Sequence, residues 1–210
     1  MNRGAAPDGP GYRALYVIVW ALARALFRLT ITGRERIPHA GGAVIVANHE
    51  SWLDPIIVPL ALPRKPAFLA MEELWGMPVV RPALRAYGSL AIPLQRGAVD
   101  ASALRRALKV LEDGHLLIVF PEGGISPDGH LRPFHRGAAM LAARAGVPLI
   151  PIALDGTSDA LPLGRILPRL RPITVRIGMP IEPAGAGRED LARASAAAEA
   201  QIEALRSLQR

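Results

Sequence analysis

Three short runs of unbroken apolar residues, each ending in a polar or glycine-containing turn, constrain the fold of this chain more than any other feature. They are residues 43–47 before Asn48-His49, 116–120 before Pro121-Glu122-Gly123-Gly124, and 149–154 before Asp155-Gly156. A run of five or six apolar residues with no polar residue at alternate positions reads as a strand buried on both faces, which requires a sheet covered on both sides. Shorter strands are expected at 67–70, 90–94 and 173–177. Helical segments lie between them. One follows Asp54-Pro55, and one runs from an Asp100 cap through Leu104, Leu108 and Leu111 to Gly114. Others cover 135–145, closed by Gly146, and 189–208, with two short helical pieces at 72–75 and 79–87. The alternation predicts a single-domain α/β fold with a mixed, mostly parallel sheet covered by helices. No internal repeat or long linker interrupts it.

In such folds ligands bind beyond the carboxyl ends of the strands, and reacting groups sit on the loops there. The first of those loops reads Asn48-His49-Glu50-Ser51-Trp52-Leu53-Asp54. A histidine followed five positions later by an aspartate can fold back across a strand-to-helix turn, so that the carboxylate meets one imidazole nitrogen and leaves the other free. That is a base and its orienter. Ser51 stands too close to His49 to serve as its nucleophile, so an attacking hydroxyl would come from a substrate. The same residues also suit a purely structural turn, in which Asn48 and Asp54 are caps and His49 is a satisfied core histidine.

Composition narrows the chemistry. The chain has no cysteine, which excludes disulfides, thiolate metal sites and cysteine nucleophiles. A net charge of +7 favours anionic partners, whereas only 5% aromatic residues and no aromatic-basic platform speak against nucleic acid. His39, His115, His130 and His135 lack metal-ligand spacing, and no metal site is predicted. Asp155-Gly156-Thr157 lacks the second aspartate of an aspartyl-phosphate site, having Ala153 there. Gly156-Thr157-Ser158-Asp159-Ala160 ends in alanine where a nucleophile elbow has glycine.

The amino-terminal part divides from the rest. Residues 1–11 are rich in glycine and proline, and 12–31 are strongly apolar, with an uninterrupted stretch too short to span a bilayer and no cleavage-site pattern for a secretory signal. On a helix, Arg13, Arg24 and Arg28 share one sector with Trp20 beside them. This pattern fits a helix lying in a membrane interface and equally a helix packed on the domain.

Several blocks occur in a fixed order: Gly33, Pro38, Asn48-His49-x4-Asp54-Pro55, Arg96, Phe120-Pro121-Glu122-Gly123 and Val147-Pro148-x2-Pro151. Together they resemble the glycerophospholipid acyltransferase family, whose best-known members are the 1-acylglycerol-3-phosphate acyltransferases. The resemblance runs from about Gly33 to Leu154. It implies that His49 deprotonates a glycerol hydroxyl, that Asp54 orients it, and that the oxygen attacks the thioester of acyl-CoA or an acyl carrier protein. It further implies an acceptor pocket shaped by Asn48, Ser51, Arg96, Glu122, Gly123 and Gly124, with the glutamate acting through loop geometry. No cofactor beyond the acyl-CoA or acyl carrier protein co-substrate is implied. The expected organisation is a loose start and apolar membrane-associating helix over 1–32, then an acyltransferase domain over 33–210. The expected location is peripheral or monotopic, on the cytoplasmic face of the cell membrane.

Three departures bear on the acceptor. Where the family continues Glu-Gly-Thr-Arg-Ser, this chain has Glu122-Gly123-Gly124-Ile125-Ser126. Met71 stands in place of a lysine before Glu72-Glu73-Leu74, and Gly88 lies two residues further than is common from Arg96. Arg132 and Arg136 could supply the missing charge. Otherwise the acceptor is a different lysolipid or a non-phosphorylated alcohol. A membrane-surface binding protein without turnover is the alternative from another class.

Overall fold

The computed structural model describes residues 10–76, 81, 90–94 and 101–208. Its strands are β1 (Thr30–Thr32), β2 (Ala43–Ala47), β3 (Ala67–Met71), β4 (Ala91–Leu94), β5 (Leu116–Val119), β6 (Leu149–Asp155) and β7 (Thr174–Ile177). Its helices are α1 (Pro10–Phe27), α2 (Asp54–Ala61), α3 (Ala101–Glu112), α4 (Gly137–Ala145), α5 (Thr157–Ala160) and α6 (Arg188–Ser207). The strands form one sheet in the order β1-β7-β6-β2-β5-β3-β4, parallel throughout except for the β6–β7 pair. The expected mixed, mostly parallel sheet is therefore present.

Strand β2 explains why both faces must be covered. All five of its residues are buried, and they alternate between two cores. Ala43, Ile45 and Ala47 face α1 and α2, meeting Phe27, Ile57 and Leu60. Val44 and Val46 face the opposite layer, with Ala107 and Leu111 of α3 and Leu141 of α4. The register places Val46 opposite Val119 of β5 and Ala47 opposite Ile152 of β6. The loops leaving β2, β5 and β6 consequently emerge side by side.

The apolar stretch read as one helix to residue 31 is instead a helix and a strand. Helix α1 ends at Phe27, Arg28 takes a left-handed φ of 44°, and the β-branched Thr30–Thr32 segment pairs with β7 at the sheet edge. Ala23, Phe27 and Leu29 are buried in the core while Val17, Ile18, Leu22 and Leu26 face outward. The helix thus packs on the domain along one side and shows an apolar surface on the other. Arg34 fastens that layer by donating to the carbonyl oxygens of Leu60, Ala61 and Leu62 at the end of α2. The piece expected at 72–75 is a 3-10 turn, Glu72–Gly76, and the helix expected from 135 starts at Gly137. The helical piece at 79–87, apart from a helical Arg81, lies outside the described residues, as do Asp100 and Arg96.

Candidate active site

The loop after β2 carries the predicted pair in hydrogen-bonding contact. His49 Nδ1 lies 2.9 Å from Asp54 Oδ2. That same oxygen accepts the backbone N–H groups of Glu50 at 2.7 Å and Ser51 at 2.8 Å. An oxygen already facing two donors takes a third, so Nδ1 carries the proton and Nε2 is the ring nitrogen left to accept one. Asp54 is fully buried at the first turn of α2. The turn is therefore wound around the carboxylate, and its geometry fixes the imidazole.

The loop after β5 completes the cradle. Glu122, buried, accepts the N–H of His49 at 2.7 Å on Oε1 and that of Arg132 at 3.1 Å on Oε2. Burial raises its carboxyl above the ordinary range, and those two backbone N–H bonds draw it back. The Ser126 N–H donates to the His49 carbonyl at 2.7 Å. Gly123 has a φ of 73°, and a Cβ there would press within 3.4 Å of the His135 ring, so the turn requires glycine. At Gly124 there is open space. Phe120, the last apolar residue before the loop, stacks on His49 with centroids 4.1 Å apart and planes at 22°. It also lines a largely apolar cavity of about 320 Å³ with Leu69, Leu104, Val119 and Met140.

Two residues expected to touch substrate do something else. Asn48 is fully buried, gives its amide N–H to the Leu154 carbonyl and to Glu50, and accepts the Leu154 N–H, joining the β2 loop to β6. Ser51 is fully buried too, donating to the Leu161 carbonyl and accepting the Leu53 N–H. With their polar atoms occupied by backbone and, for Asn48, by Glu50 as well, both shape the turn from within. Arg132 and Arg136, just beyond the β5 loop, have exposed side chains. Ile125 is half-buried.

Sequence reasoning missed the partners of Glu50. Its buried carboxylate accepts Asn48 Nδ2 at 2.9 Å, pairs with Arg206 near the end of α6, and accepts the Ser158 hydroxyl at 3.3 Å. Burial pushes it up to about 7 against the opposing pull of Arg206. Arg206 is one of several charges along α6 and carries no local signal that separates it from solvated neighbours.

A partly exposed histidine bonded to a buried carboxylate on a strand-end loop, with a glycine turn and an apolar cavity beside it, is suited to drawing a proton from a bound hydroxyl. The model of the family described as Acyltransferase matches residues 28–155, the span that holds the sheet's first six strands and the His49, Asp54 and Glu122 loops. The chain belongs to the acyltransferase family. Among its relatives, it is 33% identical over 139 residues to a chloroplast 1-acyl-sn-glycerol-3-phosphate acyltransferase of Brassica napus, covering 66% of this chain and 40% of that one. A 1-acyl-sn-glycerol-3-phosphate acyltransferase of Bacillus subtilis is 27% identical over 155 residues, covering 73% and 74% respectively. The crystal structure of the 1-acyl-sn-glycerophosphate acyltransferase PlsC from Thermotoga maritima superposes with a TM-score of 0.74 at 29% identity, covering 96% of this chain and 84% of that one. The chain spans about 40% of the length of the first plant relatives it matches. The shared acyltransferase fold accounts for the order of blocks read from the sequence.

Proposed function

We propose that this acyltransferase moves a fatty acyl group from acyl-CoA or acyl carrier protein to the hydroxyl of a lysophospholipid, with 1-acylglycerol-3-phosphate as the acceptor. The observation that carries the reading is the His49–Asp54 bond at the mouth of the sheet. His49 Nε2 takes the proton of the acceptor hydroxyl as its oxygen attacks the thioester carbonyl. The tetrahedral adduct collapses, the C–S bond breaks, and the imidazolium returns its proton to the departing thiolate. Asp54 keeps Nδ1 protonated and stabilises the imidazolium. A thioester is an activated acyl donor, so positioning and one base are adequate to the step. The cavity beside Phe120 suits an acyl chain. Arg132 and Arg136, exposed just beyond the β5 loop, are cations an acceptor phosphate can meet, and the family resemblance gives Arg96 the same part.

Product analysis tests the reading. Palmitoyl-CoA or palmitoyl carrier protein with lysophosphatidic acid is expected to yield phosphatidic acid, identified by mass, and no ester product from any acceptor would sink the assignment. A second reading, the same chemistry on another lysolipid or a non-phosphorylated alcohol, is favoured by Ile125 and Met71 standing where the family has cations. Replacing isoleucine by arginine, Ile125→Arg, is expected to raise kcat/KM for lysophosphatidic acid roughly tenfold through a planar phosphate contact, with donor KM unchanged within about twofold. An acceptor preference that does not move would remove position 125 from specificity.

The reading also places the protein peripherally on the cytoplasmic membrane face. Supporting it are the outward apolar residues of α1, the exposed Trp52 and Ile56, and the segment after α5, where Ile166, Leu167 and Leu170 are exposed among Arg165, Arg169 and Arg171. No helix among the described residues is long and apolar enough to cross a membrane. Since Ala23 and Phe27 belong to the core, deleting α1 would confuse anchoring with folding. Substituting its outward residues avoids this. Flotation with phosphatidylglycerol-containing vesicles is expected to fall roughly tenfold in Ile18→Gln/Leu22→Gln; an unchanged membrane fraction would refute anchoring through α1.

A further inference from the structure

The acyl-transfer site is held from a place the reaction scheme does not use, the carboxyl-terminal end of α6. Arg206 reaches it from there. One guanidinium nitrogen, Nη2, pairs with Glu50 Oε1 at 2.5 Å and donates to the Gly129 carbonyl at 2.9 Å. Nε lies 3.9 Å from Asp155 Oδ1 at the end of β6, and the other oxygen of Asp155 pairs with Arg176 of β7. Arg206 is thus in contact with the loops that leave β2 and β5 and with the last residue of β6.

Two of these contacts, those to Glu50 and Gly129, lead on to His49 by hydrogen bonds. Glu50 is the residue whose own N–H is fixed on Asp54 Oδ2, so orienting its side chain orients one of the donors that aim the carboxylate. Gly129 sits in the turn that the Ser126 hydroxyl closes on Asp128 and the His130 carbonyl, and the Ser126 N–H holds the carbonyl of His49. Two separate routes, one through Glu50 and Asp54 and one through Ser126, therefore join Arg206 to the two sides of the histidine backbone and ring. A planar guanidinium can satisfy a carboxylate and a carbonyl at once in fixed directions, which a flexible ammonium does less well. Glu50 is 4% exposed, and a carboxylate so enclosed needs its cation in order to stay in place.

We propose that Arg206 is a positioning residue for the acyl-transfer reaction, locking the β2 and β5 loops around His49 by way of Glu50 and the Gly129 carbonyl. The proposal rests on the assignment of His49 as the base, and its test separates the two claims. In Arg206→Met, amide hydrogen exchange is expected to rise at least about tenfold at Glu50, Ser51 and Ser126, while the β2 amides of Val44, Ile45 and Val46 keep their protection. Acyl transfer by the same variant is expected to show kcat lower by roughly tenfold to a hundredfold with donor KM unchanged within about twofold, the signature of a displaced base. Arg206→Lys, which keeps the charge and loses the fork, should recover part of kcat. Glu50→Gln should reproduce the loss, and the double variant Arg206→Met/Glu50→Gln should be no slower than either single one. If Arg206→Met does not fold, Arg206→Lys and Glu50→Gln carry the same readings. Unchanged exchange at the loop amides, or a loss seen in KM with kcat intact, would overturn the proposal. A wild type without acyl transfer would instead refute the functional assignment, with the exchange result still deciding the coupling.

Discussion

His49→Ala is expected to lower acyl transfer by about 10³- to 10⁴-fold at saturating substrates while leaving the protein folded. The size follows from what alanine removes. No other imidazole among the described residues is bonded to a buried carboxylate at this loop, and two of the groups around His49 serve its backbone. Glu122 and Ser126 bind its N–H and carbonyl, which alanine retains. The fold should therefore survive, with the loss of the Phe120 stack as its main cost. Circular dichroism and the melting temperature check the fold, and thiol release from palmitoyl-CoA checks the rate. A variant retaining more than about a tenth of wild-type turnover would assign the base elsewhere.

Asp54→Asn should be the second most damaging change. An asparagine side-chain oxygen can still accept the N–H groups of Glu50 and Ser51 and the Nδ1 proton, so the turn and the tautomer are both preserved. What is lost is the negative charge facing the imidazolium as it forms, on a side chain that is itself fully buried. We expect kcat to fall by roughly 10²- to 10³-fold with KM for both substrates close to wild type. Asp54→Ala should be worse and also less stable, because it leaves two buried N–H groups without an acceptor at about 1–3 kcal/mol each. Comparing kcat and melting temperature for the two variants separates charge from scaffold; equal rates for asparagine and wild type would deny the carboxylate any part in catalysis.

How much of this could be read from the chain depends on whether the information is local. Strands β2, β5 and β6 stand out because burial on both faces leaves an unbroken apolar run, and the pair His49 and Asp54 is legible because five residues is the span of one turn. Strand β1 was hidden because Thr-Ile-Thr follows an apolar helix without a proline or glycine between them. The antiparallel setting of β7 was hidden because pairing direction is decided by where the preceding loop delivers the strand. Asn48 and Ser51 show the limit more sharply. Polar residues beside a candidate base read as ligands for substrate, yet both point inward to Leu154 and Leu161, partners contributed by a strand and a turn more than a hundred residues away. Arg206 is the extreme case, since nothing near it in the sequence refers to Glu50. The acyltransferase blocks mark the candidate site, whereas the residues that hold its loops become visible only when the chain is folded.

The most direct test of the whole account is the rate at which free CoA appears from palmitoyl-CoA with and without lysophosphatidic acid. The account predicts release that depends on the acceptor, matches phosphatidic acid formed one for one, and vanishes in His49→Ala. Release equal in the presence and absence of any acceptor would show a thioesterase using water, and no release with CoA or carrier-protein thioesters would leave a protein that binds without turnover. Either result would contradict the central claim that the His49–Asp54 pair activates an acceptor hydroxyl.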